Sequence, residues 1–402
     1  MDRFCEEAVT FRRPLGGLQV VEAGQGIAGA FCGKLLAALG ADVIKVEPPA
    51  GDPCRRLGPF VRGQVEPESS LLFLYLNTSK RGITLDLSSP TGAELFAGLA
   101  GRADVVLESL GPGRLAELGL DYQALSRGQP GLILTSITPF GDTGPYRDYL
   151  DGELVLLALG GLLNMIGDPA REPVRLGGYQ AQYAAGLAAF TGTMIALWHR
   201  DLTGVGQHVK VSAHETVAFL EWKSPVYYQS DGRVGRRGGE LSQWVVLPCR
   251  DGFVAFVYQD ENWPAVKELV GDPRLKDPRF ADRRGRVANR AELWEILGAW
   301  AAERTKEEVY HQAQALGIPV GLVVDAADLV ASPQYRARGF FAGVNHPHTG
   351  TVLYPGVPFV LGGHRPTVGR APLLGEHNLE VYTTLLGLSA AEVAALRERG
   401  VL

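Results

Sequence analysis

Val20-Val21-Glu22-Ala23-Gly24-Gln25-Gly26-Ile27-Ala28-Gly29 is the stretch on which the reading of the fold turns. A short β-rich run passes into Gly-x-Gly-x-x-Gly and then into helix-forming sequence. Glu47 closes the next β-rich run about 20 residues on, the spacing of a dinucleotide fingerprint. In that fingerprint the glycines permit a tight turn, and a pyrophosphate rests on the helix N-terminus. An NAD- or FAD-dependent enzyme acting through Gly24, Gly26 and Gly29 is therefore one reading. The other is that a doubly wound fold wants glycine at its first strand-to-helix turn whatever it binds.

Outward from this turn, short β-rich runs alternate with longer helical patterns. Leu18–Glu22, Asp42–Val46, Ile83–Leu87, Asp104–Leu107, Leu132–Ile137 and Gln207–Ser212 read as strands. Gly29–Leu39, Gly92–Ala100, Tyr122–Arg127 and Gln180–Trp198 read as helices, with another starting at Ala213. Near-continuous apolar strands separated by helices predict an α/β fold with a parallel, Rossmann-like sheet covered on both faces. Composition shifts after Lys223, and Ser224–Arg237 reads as a linker or crossover. Trp244–Leu247 and Phe253–Tyr258 flank Arg250-Asp251-Gly252, a hairpin signal. Helices are expected at Glu261–Val270, Ala291–Ala302 and Lys306–Leu316, and a last one at Ala390–Arg399. The expected division is a large domain from 1–223 and 330–402, with a smaller α+β domain at 224–329.

The 402 residues are 46% hydrophobic and 21% charged, enough apolar sequence for a sizeable core and too much for disorder. Lys plus Arg number 39 against 44 Asp plus Glu, a net charge of -5 that argues against a nucleic-acid partner. No apolar stretch reaches the roughly 18 residues of a membrane span, and residues 1–14 lack the apolar core of a signal peptide. A cytoplasmic protein with no membrane partner is expected. Cys5, Cys32, Cys54 and Cys249 have neither disulfide-framework nor zinc spacing. The eight histidines make no metal constellation; His346-Pro347-His348 reads as a surface turn, and His208 and His214 as packing or capping residues.

Seven blocks resemble the class III CoA-transferase family, which also contains the α-methylacyl-CoA racemases. They are Leu35–Pro48 after Pro14–Leu18, Asn77–Leu87, Ala103–Glu108 with Gly111-Pro112-Gly113, Phe140–Pro145, Gly204–Gln207, Pro333–Phe341 and Pro372–His377. They occur in order over nearly the whole chain. The resemblance implies an interlocked homodimer and CoA at the C-terminal strand ends, its acyl end in a cleft between the domains. A glycine-rich loop, shortened here to Gly238-Gly239, would close over it. Carried over by position, CoA should meet Gly26, Ile27 and Ala28, then Leu85 and Ser88, then Ser109, Leu110 and Gly111. The implied substrates are an acyl-CoA and a small carboxylic acid, with no metal.

In the transferases an Asp carboxylate attacks the thioester, a covalent strategy that splits one hard step into several. Its motif corresponds here to Gly177–Gly186, and the Asp position holds Gln182, whose amide is no such nucleophile. The racemases add a His about 30 residues earlier as acid–base partner; that position holds Gly152. Glu153, the next residue, is a candidate surrogate base or orienting group, or else a helix N-terminal acid favoured by the dipole, with Asp151 beside it. A CoA-transferase with Gln182 at the nucleophile position is the leading expectation, and a non-catalytic or repurposed CoA-binding homologue the alternative. Two basic positions of the family are also lost, to Pro48 and Glu117. Arg114, Lys45, Lys80 and Arg81 are the cations expected to compensate.

Overall fold

The computed structural model describes residues 13–235, 237, 244–366 and 368–402; Cys5 and the Gly238-Gly239 loop lie outside them. These residues fall into two compact units. One takes 13–166, 174–233 and 339–402, the other 167–173 and 234–338.

The first unit is built on six parallel strands: β1 (Gln19–Gly24), β2 (Asp42–Glu47), β3 (Arg81–Thr84), β4 (Val105–Ser109), β5 (Ile133–Thr138) and β6 (His208–Ser212). Their order in the sheet is β3-β2-β1-β4-β5-β6, the doubly wound order, in which chain progression reverses between β1 and β4. Adjacent residues on each strand enter opposite core layers, as period-2 alternation requires. Val20, Val43, Val105 and Ile133 join one layer with Cys32, Leu36 and Ala185, while Val21, Ile44, Val106 and Leu134 join the other with Phe96, Leu99 and Tyr382. The first layer is covered by α1 (Ala28–Ala38), and the second by α3 (Pro90–Ala100), which lies beyond the short α2 (Leu71–Leu76). The expectation of an α/β fold with a parallel sheet holds.

Strand β3 ends at Thr84, three residues short of the expected Leu87, because the chain turns there to start α3. Asp86 Oδ1 accepts from the Ser88 amide, and Ser89 caps the helix by accepting from Gly92 N. As an edge strand, β3 would leave backbone groups unpaired. The C-terminal segment takes them up: Asn378 Oδ1 accepts from Thr84 N at 2.8 Å, and Tyr382 Oη donates to Thr84 O at 2.8 Å.

Past β5 come α4 (Glu153–Leu159), α5 (Gln180–Thr203) and α6 (Ala213–Leu220). Lys223–Asp231, read above as linker, is a helix ended by Gly232 at positive φ; its polar sequence has no buried face to give it a periodic signal. The second unit pairs β7 (Trp244–Cys249) and β8 (Gly252–Val257) as the expected hairpin, to which β9 (Val320–Leu322) adds. Its core combines Val254 and Phe256 with Leu293, Ile296 and Leu297 of the helix Arg290–Ala302. No helix among the described residues is long and apolar enough to cross a membrane.

Candidate active site

Four segments meet where β1 and β4 part: the β1–α1 turn, the turn after β4, and the two helix starts at Glu153 and Gln180. They enclose a cavity of about 430 Å³ whose walls include Gly26, Ile27, Ala28, Ser109, Leu110, Gly111, Asp151, Glu153 and Gln182. A second cavity of about 230 Å³ shares the walls Gln25, Ser109 and Leu110 with it and adds Leu85, Ser88 and Arg114. Every catalytic and CoA-contact position carried over from the family thus borders one of two adjoining cavities, whereas Lys45, Lys80 and Arg81 border neither. A ligand crevice outside the strand ends at the point of reversal is where this topology places one.

The glycine turn has its own explanation. Only Gly26 of the three has a left-handed backbone, at φ 82°. Gly24 and Gly29 are small because Ser109 Oγ would lie 2.7 Å from a Cβ at either position. Ser109 Oγ donates to Gln25 O at 3.1 Å, tying the two turns together. Glu47, the acid of the fingerprint, is buried and occupied. It accepts from Arg55 Nε at 2.7 Å and Nη2 at 2.8 Å, and from Asp52 N at 2.9 Å.

Below the turn lies a buried charge network. Lys45 Nζ meets Asp52 Oδ2 at 2.9 Å and Glu22 Oε1 at 3.1 Å, and Lys80 Nζ meets Glu22 Oε2 at 2.7 Å. Asp52 Oδ1 in turn accepts from Gly26 N at 3.4 Å. Burial alone would raise the Asp52 carboxyl, but Lys45 and the backbone N–H groups hold it below the usual carboxylate range. Lys45 and Lys80 are therefore not free to receive phosphates. They are 0% and 4% exposed and already paired. Arg81 is spent on Asp42 and Glu380. Of the cations expected to compensate, Arg114 is the one that lines a cavity, half-exposed and paired with Glu117 at 2.8 Å.

At the other end of the crevice, α5 starts without a side-chain cap from its own Tyr179. Glu153 supplies what is missing from a different element. Its Oε1 accepts from Ala181 N at 2.9 Å and its Oε2 from Gln182 N at 3.3 Å, serving two of the orphan donors every helix start leaves. Gln182 Nε2 makes a long 3.5 Å contact to Asp151 Oδ2. Asp151, a wall of the same cavity, is given no role of its own by the sequence beyond its place two residues before Glu153.

A larger cavity of about 540 Å³ opens between the ends of β4, β5 and β6, lined by Glu108, Ser136, Arg147, His208 and Lys210 among others, and contains none of the predicted site residues. His208 Nε2 and Ser136 Oγ are 2.9 Å apart there, and His214 Nε2 lies 3.2 Å from Leu159 O. His346 ends a hairpin strand but is 1% exposed, so the expected surface turn holds only for Pro347 and His348. Among the described residues no group of three or more His, Cys, Asp or Glu is arranged to hold a metal.

Residues 15–378 match the model of the CoA-transferase family III. The chain belongs to that family. Among members of CoA-transferase family III it is 35% identical to the succinyl-CoA–D-citramalate CoA-transferase of Chloroflexus aurantiacus, over 97% of this chain and 98% of that one. It is 36% identical to the succinyl-CoA:(R)-benzylsuccinate CoA-transferase subunit BbsE of Thauera aromatica, over 92% and 94%. Among solved structures it resembles a CAIB/BAIF family protein from Brucella suis, at a TM-score of 0.83 and 32% identity, covering 92% of this chain and 99% of that one.

Proposed function

We propose that this member of CoA-transferase family III binds an acyl-CoA thioester and transfers CoA between small carboxylic acids. The observation that carries the reading is the pair of adjoining cavities running from Leu85, Ser88 and Arg114, past Ser109 and Leu110, to Glu153 and Gln182. Gly26–Ala28 and Ser109–Gly111 offer the cofactor a cradle of turn backbone with the apolar Ile27 and Leu110, and Arg114 offers its phosphates a cation. The thioester would lie at the Gln182 end. Succinyl-CoA is the donor to test first, since relatives named for D-citramalate, (R)-benzylsuccinate and L-malate all carry it in their names. The assay is label exchange between free succinate and succinyl-CoA, then a panel of acceptor acids. Exchange above the protein-free rate supports the reading; binding of CoA without exchange for any acid sinks it.

That second outcome defines the rival, a non-catalytic CoA-binding chain. It is favoured by Gln182 where the family's nucleophile stands, and by relatives named as subunits of CoA-transferases. Exchange that appears only after a second, Asp-bearing chain is added would select it. A dinucleotide enzyme is disfavoured because Glu47 already has three donors on its carboxylate, leaving no room to bind a ribose. A homodimer is supported by Ile195, Trp198 and Leu202, which stand 62–68% exposed along one face of α5. Sedimentation equilibrium giving twice the chain mass is expected; the mass of a single chain would refute it.

A further inference from the structure

The proposed transfer needs a carboxylate nucleophile, and Gln182 is not one. Two carboxylates line the cavity beside it, Asp151 and Glu153. Glu153 is committed to the start of α5, each of its oxygens accepting a backbone N–H. A carboxylate held in this way is restrained as an anchor and stripped of its most accessible lone pairs. Asp151 differs on every count. It is exposed to the cavity, and among the described residues its single hydrogen-bond partner is the Gln182 amide and no cation lies within ion-pair distance. The residue after it, Gly152, has extended backbone and lines the same cavity.

We propose that Asp151 is the nucleophile, and that Gln182 positions it by donating from Nε2 to Oδ2. The inference rests on the transferase reading above. In effect the carboxylate has moved one hydrogen bond along the cavity, from α5 to the loop before α4, still beside the positive end of the α5 dipole. An Asp151 oxygen adds to the thioester carbonyl, the C–S bond breaks, and CoA leaves as thiolate, giving a mixed anhydride. The thiolate attacks the Asp151 carbonyl of that anhydride, forming an aspartyl thioester and releasing the donor acid as carboxylate. The acceptor carboxylate displaces the thiolate again, and thiolate attack on the acceptor acyl carbon yields the new CoA ester and the free Asp151 carboxylate. No oxidant, reductant or net proton is required.

The test is a hydroxylamine quench of the full-length protein turning over succinyl-CoA and succinate, followed by peptide mass spectrometry. The hydroxamate is expected on Asp151. Asp151→Asn should still bind CoA by thermal shift while losing exchange by on the order of 10³-fold or more. Adding Gln182→Asp to that variant should restore exchange and move the hydroxamate to position 182, a rescue that a merely structural role for Asp151 would not give. A hydroxamate on Glu153, or full exchange by Asp151→Asn, overturns the proposal and leaves the transferase reading standing. CoA binding with no exchange by the unaltered chain overturns both.

Discussion

Glu153 and Arg114 show how little of a side chain's work is visible in its type. Glu153 opens α4, where a dipole-favoured acid is expected, yet its carboxylate also serves the backbone of α5. Glu153→Ala should destabilise the fold by about 1–2 kcal/mol, the range of a lost N-cap, read as a lower urea midpoint at unchanged slope. Arg114 stands at the mouth of the smaller cavity, 45% exposed and already sharing Glu117. Solvent screening limits its worth, so Arg114→Ala should weaken CoA binding by about 1 kcal/mol, roughly fivefold in Kd by calorimetry. A loss no greater than the error of the titration would move the phosphates elsewhere.

At the scale of elements, the crevice depends on how closely α5 approaches α1. Gly186 makes the approach possible: a Cβ there would lie 2.5 Å from the Ala28 carbonyl oxygen, in the turn proposed to cradle CoA. Gly186→Ala should therefore cost about 1–3 kcal/mol, as overpacking does, and weaken CoA binding along with stability. A variant that loses stability but keeps its CoA affinity would show that α5 yields and the turn does not. Helix α1 also buries Lys34, its ammonium 2.7 Å from Thr78 Oγ1 and over the Tyr75 ring. Burial, aided by the charge on Lys80, brings Lys34 down from 10.5 to about 7. Between those values the unfolded chain holds the proton and the folded one does not, so this group makes stability rise with pH from about 7 towards 10. Below pH 7 the cost of burying the ammonium is fully present. Lys34→Met should flatten the rise and raise stability most at pH 7 and below, measured as urea midpoints across the range.

For the whole molecule, the ligand test is where protection appears. CoA at 100 times its Kd stabilises the state that binds it by about 2.7 kcal/mol. Slowed amide exchange is expected at residues 25–28, 85–88, 109–111 and 151–153, segments that wall the two cavities. Protection at 121–123, 140–143 and 208–211 instead would place the cofactor in the larger cavity between β4 and β6.

Much of this was legible in the chain because the signals were local. Apolar runs such as Val43-Ile44 and Val105-Val106, separated by helical stretches, require strands buried on both faces and hence a parallel sheet. The glycine turn marked where the first strand meets its helix, and the family resemblance ending in Gly186 singled out Gln182, which lines the cavity. The roles of charged groups were not legible, because a charge's work depends on partners distant in sequence. Lys80 reads as a phosphate ligand until Glu22 is found 2.7 Å away. Gly24 and Gly29 read as a pyrophosphate loop until Ser109, some 80 residues on, is found between them. Asp151 reads only as the acid beside Glu153 at a helix start until Gln182 turns out to face it. Periodicity and small-residue spacing act within a few turns of chain and are written in order. Which carboxylate is consumed by a lysine or a helix end, and which is left for chemistry, is decided only when the elements pack.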